Sequence, residues 1–205
     1  MWEHKLSQEK EDLIANLVDD ADFLKIDGRY GRFNIFEAIG AVRGELRHSN
    51  FLAFLLTPHG SHGLGSEFLQ KFLRGVLSRY SAVSRPVRSL ELVVGDLDEA
   101  QIYRETDNID LTIEIKELNL VVIVENEIGS KAGEGQLDRY KTVTKNKYPT
   151  WRHMFVFLTP DGDDPEDNEY VAFSYSDLSK IMEGMIAESG SQQPSELVLI
   201  LRHSL

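Results

Sequence analysis

The chain has 205 residues, a hydrophobic share of 41% and a formal net charge of −12 at pH 7. This length suits one large domain or two small ones, and the apolar share is sufficient for a packed core. The absence of cysteine excludes a disulfide scaffold and thiolate metal sites. No apolar run approaches the roughly 20 residues of a membrane-spanning helix. We therefore expect a cytoplasmic protein without membrane segments.

The first part of the chain is predicted to be mainly helical. Helices are predicted over 7–24, 34–46, 51–56 and 66–80. The residues His48 and Ser49 are expected to cap the third of these helices. His48, His59 and His62 are close in sequence, but their spacing matches no zinc pattern, so we interpret the loop histidines as hydrogen-bonded or solvated.

The rest of the chain combines short strands with helices. Strands are predicted over 90–94, 101–105, 109–115, 120–124, 153–158 and 171–173, and helices over 133–147, 177–185 and 195–205. The acidic run 161–167 lacks the ligand spacing of a calcium loop and is interpreted as an exposed turn. Because the last helix reaches Leu205 without a termination signal, we expect the natural protein to continue beyond it.

The strands over 109–115 and 120–124 are predicted to form an antiparallel hairpin. The first alternates apolar and polar residues, whereas the second is an unbroken apolar run typical of a strand covered on both faces. If Glu117-Leu118 is a two-residue loop, Asp110 lies directly across from Glu125. The apolar side chains expected on one face of the first strand are Ile109, Leu111, Ile113 and Ile115.

Three carboxylates are expected to converge where these strands end. Opposite side chains in an antiparallel pair are roughly 4.5–5.5 Å apart at Cβ, so Asp110 and Glu125 repel each other unless a cation intervenes. Glu127 projects from the same face as Glu125 and adds a third carboxylate. Hard oxygen ligands favour Mg²⁺, Mn²⁺ or Ca²⁺. The alternative is a charged strand end that emerges into solvent.

Four short motifs follow one another in an order that resembles the PD-(D/E)XK nuclease superfamily. The helical segment 45–56, ELRHSNFLAFLL, is followed by a loop over 61–65, SHGLG. Residues 124–128 read Val-Glu-Asn-Glu-Ile, which is similar to the Ile-Glu-Asn-Lys-Ile motif of one branch of the superfamily. A helix carrying Gln136 and Tyr140 comes next. The likeness extends from about residue 33 to about residue 140.

The resemblance implies an α/β, restriction-endonuclease-like fold, with a mixed β-sheet flanked by helices and an N-terminal helical segment. We expect a single domain, with a helical part over 1–82, a core sheet over 86–175 and C-terminal helices over 176–205. The implied activity is metal-dependent hydrolysis of nucleic acid, with DNA as the expected substrate and prokaryotic antiviral defence as the expected setting.

The resemblance also implies roles for individual residues. Asp110 and Glu125 would hold Mg²⁺ or Mn²⁺. Glu45, which reads as a surface residue on chemistry alone, would support that site. Gln136 and Tyr140 are four residues apart on one helix, so they share a face and would hold the attacking water or a substrate phosphate.

The negative net charge opposes phosphate binding, because nucleic-acid-binding proteins usually present a basic surface. Basic residues do gather around the expected site, at Lys131, Arg139, Lys141, Lys145 and Lys147. A homodimer, an additional C-terminal domain or a partner protein is a possible source of further phosphate contacts.

Glu127 departs from the superfamily pattern, since most relatives have a lysine there that orients the water and offsets negative charge. Three explanations for the glutamate at this position are open. Some active endonucleases of the superfamily have glutamate at this position, where a second metal or the glutamate as base would serve. Lys131 could supply the cation from the following loop. Alternatively the site is inactive, naturally or through an introduced Lys-to-Glu change, and the domain binds nucleic acid or a protein without cleavage.

Overall fold

The computed structural model describes residues 45–128, 133 and 135–189, with the side chains of residues 45–47 and 189 left aside. The helices expected over 7–24 and 195–205, and residues 34–44 of the helix expected over 34–46, lie outside the described residues. The division of the chain into domains therefore stays a prediction. No helix in the described ranges is long and apolar enough to cross a membrane.

Five strands form one mixed sheet in the order β1-β2-β3-β4-β5. They are β1 (Gln101–Thr106), β2 (Ile109–Ile115), β3 (Leu120–Asn126), β4 (Arg152–Thr159) and β5 (Tyr170–Ser174). Neighbours β1, β2 and β3 pair antiparallel, whereas β3, β4 and β5 pair parallel. All seven residues of β3 are buried, as expected for a central strand covered on both faces.

Helices cover both faces of the sheet. They are α1 (Glu45–Leu56), α2 (Glu67–Arg79), α3 (Ser89–Val94), α4 (Gln136–Lys147) and α5 (Tyr175–Ser189). On one face, Val122 and Val124 of β3 share a core with residues of α1, α2 and α5. On the other face, Val121 and Ile123 pack with Leu137 and Tyr140 of α4. This arrangement confirms the predicted α/β, restriction-endonuclease-like fold class.

The hairpin between β2 and β3 has the predicted register. Leu111 pairs with Val124 and Ile115 pairs with Leu120. The connection is a 3₁₀ turn over Lys116–Leu118, closed by Asn119 in the left-handed conformation with φ 44° and ψ 48°. The same register, extended by one residue, places Asp110 opposite Glu125. The structure differs from the prediction at Ile109, which packs on the α4 side of the sheet and not on the face of Leu111 and Ile113.

The strand expected over 90–94 is wrong, because these residues form α3. The Arg88 backbone N–H donates to Glu91 Oε2 at 2.7 Å and caps the helix. The other carboxylate oxygen of Glu91 accepts a hydrogen bond from Arg152 Nη1 at 2.8 Å. Only Leu92 is buried in this helix, so its apolar run is not the signature of a buried strand.

The cap expected at His48 and Ser49 is also wrong, because α1 continues through both residues. Ser49 is fully buried, and its hydroxyl accepts a hydrogen bond from the Asn126 side chain at 2.9 Å. The hydroxyl therefore contacts the sheet instead of ending a helix. His62 has the hydrogen-bonded role that we expected for a loop histidine: Nδ1 accepts from the Leu64 N–H at 2.9 Å, and Nε2 lies 2.8 Å from the Thr57 carbonyl oxygen.

Candidate active site

The three predicted carboxylates meet at one end of the β2–β3 pair. Asp110 is the second residue of β2 and Glu125 is the penultimate residue of β3. Glu127 follows the end of β3, and its backbone N–H donates to the Leu158 carbonyl at 2.9 Å, which continues the pairing with β4. The exposed fractions of Glu125 and Glu127 are only 3% and 8%. The alternative of a charged strand end in solvent is therefore wrong.

Hydrogen bonds fix the two opposed carboxylates in different ways. Asp110 Oδ2 accepts the backbone N–H of Asn126 at 2.8 Å. Glu125 Oε1 accepts a short hydrogen bond from Gln136 Nε2. The second oxygen of Glu125, Oε2, is buried and has no hydrogen-bond partner in the described part of the chain. A buried carboxylate oxygen without a partner is costly, so this oxygen is suited to a ligand.

The surroundings of Glu125 oppose its ionisation. Burial raises the pKa of Glu125 to about 8, and the negative charges of Asp110 and Glu127 add to that rise. The hydrogen bond from Gln136 lowers the pKa of Glu125, but by less than burial raises it. Without a cation, these surroundings therefore favour the protonated form of Glu125. A cation that binds here would replace that proton and relieve the repulsion among the carboxylates.

Helix α4 presents Gln136 and Tyr140 to the carboxylates, as their spacing predicted. Gln136 bonds Glu125 directly. The exposed fraction of Tyr140 is 4%. Burial raises the pKa of Tyr140, followed by the negative charge of Glu125. Both side chains are thus near the reacting groups of the proposed site, although their roles stay predictions.

Asn126 is a residue whose contribution we missed in the sequence. It follows Glu125, whose side chain contacts Gln136 of α4, so the Asn126 side chain projects to the opposite face of the sheet. There its amide donates to Ser49 of α1 at 2.9 Å and accepts from the Tyr175 hydroxyl of α5 at 2.6 Å. Strand alternation together with the rule that buried amides need partners would have pointed to it.

Within the described ranges, no group of three or more Asp, Glu or His side chains is arranged to hold a metal ion. Mg²⁺, however, is commonly held by one or two carboxylates together with waters and substrate phosphates. The opposed carboxylates Asp110 and Glu125, with the partnerless Oε2 of Glu125, fit that kind of site. The Glu45 side chain and Lys131 lie outside the described residues.

A comparison with models of known protein families identifies the family of this chain. A family model described as the PD-(D/E)XK nuclease superfamily matches residues 33–202. The chain belongs to the PD-(D/E)XK nuclease superfamily. The match confirms the superfamily that the motifs indicated and extends well beyond residue 140. Searches of curated proteins and of solved structures returned no match.

Membership in the PD-(D/E)XK nuclease superfamily supports a hydrolytic enzyme that acts on nucleic acid. Enzymes of this superfamily typically use divalent metal ions, which agrees with the oxygen-only donor set described above.

Most of the basic residues expected around the site are neutralised by acidic neighbours. Lys141 lies 2.6 Å from Asp167 and 3.1 Å from Glu169, measured from Nζ to the nearest carboxylate oxygen. The remaining α4 lysines are paired too, Lys145 with Glu169 at 2.6 Å and Lys147 with Asp107 at 3.0 Å. The predicted exposed turn over 161–167 thus supplies one partly buried counter-ion, Asp167.

A groove of about 770 Å³ is lined by residues of α2, α4, β4 and β5. Its lining includes Arg79 and Lys145, which are paired with Asp177 and Glu169 respectively. None of the predicted site residues lines this groove.

Proposed function

We propose that this protein is a metal-dependent nuclease that hydrolyses phosphodiester bonds in DNA. The observation that carries the proposal is the buried Oε2 of Glu125, which has no partner in the described residues and lies on the strand next to Asp110. The membership of the chain in a nuclease superfamily supports the reaction class, which is hydrolysis of nucleic acid. A role in prokaryotic antiviral defence is part of the proposal, because the motif resemblance implies that setting.

Asp110 and Glu125 would hold Mg²⁺ or Mn²⁺, with Glu45 as an additional carboxyl group. Such a cation supplies polarisation of the phosphate, a bound water of lowered pKa and stabilisation of the leaving oxygen. Gln136 orients Glu125 by donating to Oε1, which leaves Oε2 available as a ligand. The Tyr140 hydroxyl donates to the attacking water or to a phosphate oxygen.

Glu127 takes the place of the usual lysine in this proposal and acts as the base. It is buried beside Glu125, and a carboxylate at that point accepts the proton that the attacking water loses. Glutamate cannot offset the negative charge that develops on the phosphate. That charge must be offset by another cationic side chain, such as Lys131.

The test is a Mg²⁺ and Mn²⁺ titration with plasmid DNA, single-stranded DNA and RNA as substrates. We expect cleavage of DNA that depends on the metal. Asp110→Asn and Glu125→Gln should each lower kcat/KM by at least about 100-fold, because losing a ligand removes several kcal/mol of charge stabilisation. Glu183→Gln, an exposed carboxylate on α5, is the matched control. Cleavage that survives in both site variants would contradict the proposal.

A catalytically silent binding module is the second candidate, and Glu127 is the observation that favours it. In that case the protein binds nucleic acid or a protein partner but does not cleave. The Glu127→Lys variant separates the candidates, because it returns the lysine that most relatives have. Binding without cleavage in the wild type, together with metal-dependent cleavage in Glu127→Lys, would support the second candidate.

A further inference from the structure

We propose that Arg139 contacts the substrate phosphate and carries the positive charge that position 127 lacks. The proposal rests on the proposed nuclease function and adds a phosphate-binding residue to it. Its starting point is the charge at the site, where three carboxylates meet at Asp110, Glu125 and Glu127. A phosphodiester that enters such a site needs a cation besides the metal, because further negative charge develops in the reaction.

Helix α4 has four cationic residues, and three of them are already neutralised. Lys141, Lys145 and Lys147 form ion pairs at 2.6 to 3.0 Å with acidic residues of neighbouring segments. Arg139 differs, since it forms no ion pair with any residue that the structure describes, and it is exposed. Arg139 contacts the Tyr140 side chain, but no carboxylate of the described residues balances its charge.

Arg139 neighbours two α4 residues that lie close to the carboxylates, Gln136 and Tyr140. Residues three apart on a helix are surface neighbours, so Arg139 lies beside Gln136, which bonds Glu125 directly. The guanidinium carbon lies 5.1 Å from the centroid of the Tyr140 ring. That ring is buried against Ile109, Val121 and Ile123 on the face from which Glu125 projects.

The chemistry of arginine suits this task. The guanidinium keeps its charge at every relevant pH and presents paired N–H donors that match two phosphate oxygens. Stacking on the Tyr140 ring limits the orientations of the guanidinium, so less side-chain freedom is lost on binding. Arg139 would therefore clamp a phosphate next to the metal ligands, while Glu127 keeps the role of the base.

The test compares Arg139→Ala and Arg139→Lys with Arg74→Ala, an exposed arginine on α2 at the opposite face of the sheet. Two readouts are used. The first is the affinity for a short fluorescein-labelled DNA duplex in EDTA at several salt concentrations. The second is metal-dependent cleavage. Thermal unfolding of each variant verifies that the fold is intact.

We expect Arg139→Ala to bind DNA more weakly in EDTA, with a salt dependence whose slope is smaller by about 0.9, the value for one lost phosphate contact. Its kcat/KM should fall by at least about tenfold. Arg139→Lys should keep the wild-type salt slope, because the charge is retained, and should recover part of the cleavage. Arg74→Ala should match the wild type in both readouts.

The failures of the two proposals can be told apart. If the wild type cleaves and Asp110→Asn does not, but Arg139→Ala behaves as the wild type, the role of Arg139 is overturned and the nuclease function stands. If the wild type binds without cleaving, the EDTA affinities still decide the phosphate contact. An unchanged salt slope in Arg139→Ala overturns it in either case, and a wild type that neither binds nor cleaves overturns both.

Discussion

Glu125 is the residue in which burial and charge act together most strongly. Its exposed fraction is 3%, and two further carboxylates lie next to it. Burial, followed by the charge of Asp110, raises its pKa to about 8. An unfolded chain would release this proton near the ordinary value of 4.5. The folded state therefore binds the proton more tightly than the unfolded state.

The difference in proton binding between the folded and unfolded states makes the stability of the protein depend on pH. A raised carboxyl pKa stabilises the fold below about pH 4.5, and this contribution is lost as the pH rises toward about 8. Without metal, the free energy of unfolding should fall by up to about 1.4 kcal/mol per pH unit in that window. Glu125→Gln removes this contribution. Urea titrations in EDTA at several pH values should show a flatter pH dependence for the variant, and parallel curves would contradict the assignment.

At the residue scale, the opposition of Asp110 and Glu125 could be predicted, and strand alternation could have pointed to Asn126, but the partners of Asn126 could not be predicted. The short loop after β2 determines the register, and the register places Asp110 opposite Glu125. Asn126 instead bonds Ser49 and Tyr175, which are 77 and 49 residues away in the chain. These partners depend on how α1 and α5 pack on the sheet, and no local pattern in the sequence encodes that packing.

At the scale of elements, Asn126 connects the β3 end to the helices on the opposite face. The Tyr175 hydroxyl donates to its side-chain oxygen at 2.6 Å. Tyr175→Phe removes this donor and leaves a buried oxygen with fewer bonds, so we expect the free energy of unfolding to fall by about 1 to 2 kcal/mol. Tyr103→Phe is the control, because its hydroxyl bonds Gln101 at the surface. Equal stability of the two variants in urea titrations would contradict this account.

A second connection fixes α4, the helix that presents Gln136 and Tyr140. Lys141 lies 2.6 Å from Asp167, and its side chain is only 15% exposed. The pKa of Asp167 is lowered although burial raises it, because Lys141 holds the charged form. The stabilisation is therefore present above about pH 4 and is lost as the pH falls through the lowered pKa.

Asp167→Asn should lower the free energy of unfolding by about 2 kcal/mol at neutral pH, since it breaks a charged hydrogen bond that is largely shielded from water. The loss should shrink at low pH, where the wild-type carboxylate is protonated as well. Glu166→Gln, an exposed neighbour in the same turn, is the control and should change little. Thermal or urea unfolding at two pH values checks both expectations.

Element prediction failed where short apolar runs admit two structures. Residues 90–94 read equally as a buried strand or as one face of a short helix. The helix is stabilised by the cap between the Arg88 N–H and Glu91. It is also stabilised by the hydrogen bond to Glu91 from Arg152, a residue far away in sequence. The long α2 helix and the alternating β2 strand were predicted well, because their periodic patterns extend over seven residues or more.

At the scale of the whole molecule, topology explains why the carboxylates meet. The parallel pairing of β3 with β4 directs the carboxyl end of β3 to one edge of the sheet, where open α/β sheets usually bind ligands. The antiparallel hairpin brings the start of β2 to the same edge. Helix α4 covers one face there, and Asn126 attaches the other face to α1 and α5. The sheet thus holds two carboxylates in place before any ligand binds.

Mn²⁺ binding measured by calorimetry tests this account most directly, because it does not depend on the choice of substrate. We predict that the wild type binds Mn²⁺ near pH 8 with release of a proton from Glu125, and about tenfold more weakly for each pH unit below that pKa. Asp110→Asn and Glu125→Gln should each weaken binding at least about tenfold, whereas Glu183→Gln should bind as the wild type does. Unchanged Mn²⁺ affinity in Asp110→Asn and Glu125→Gln would contradict the claim that these two carboxylates share one cation.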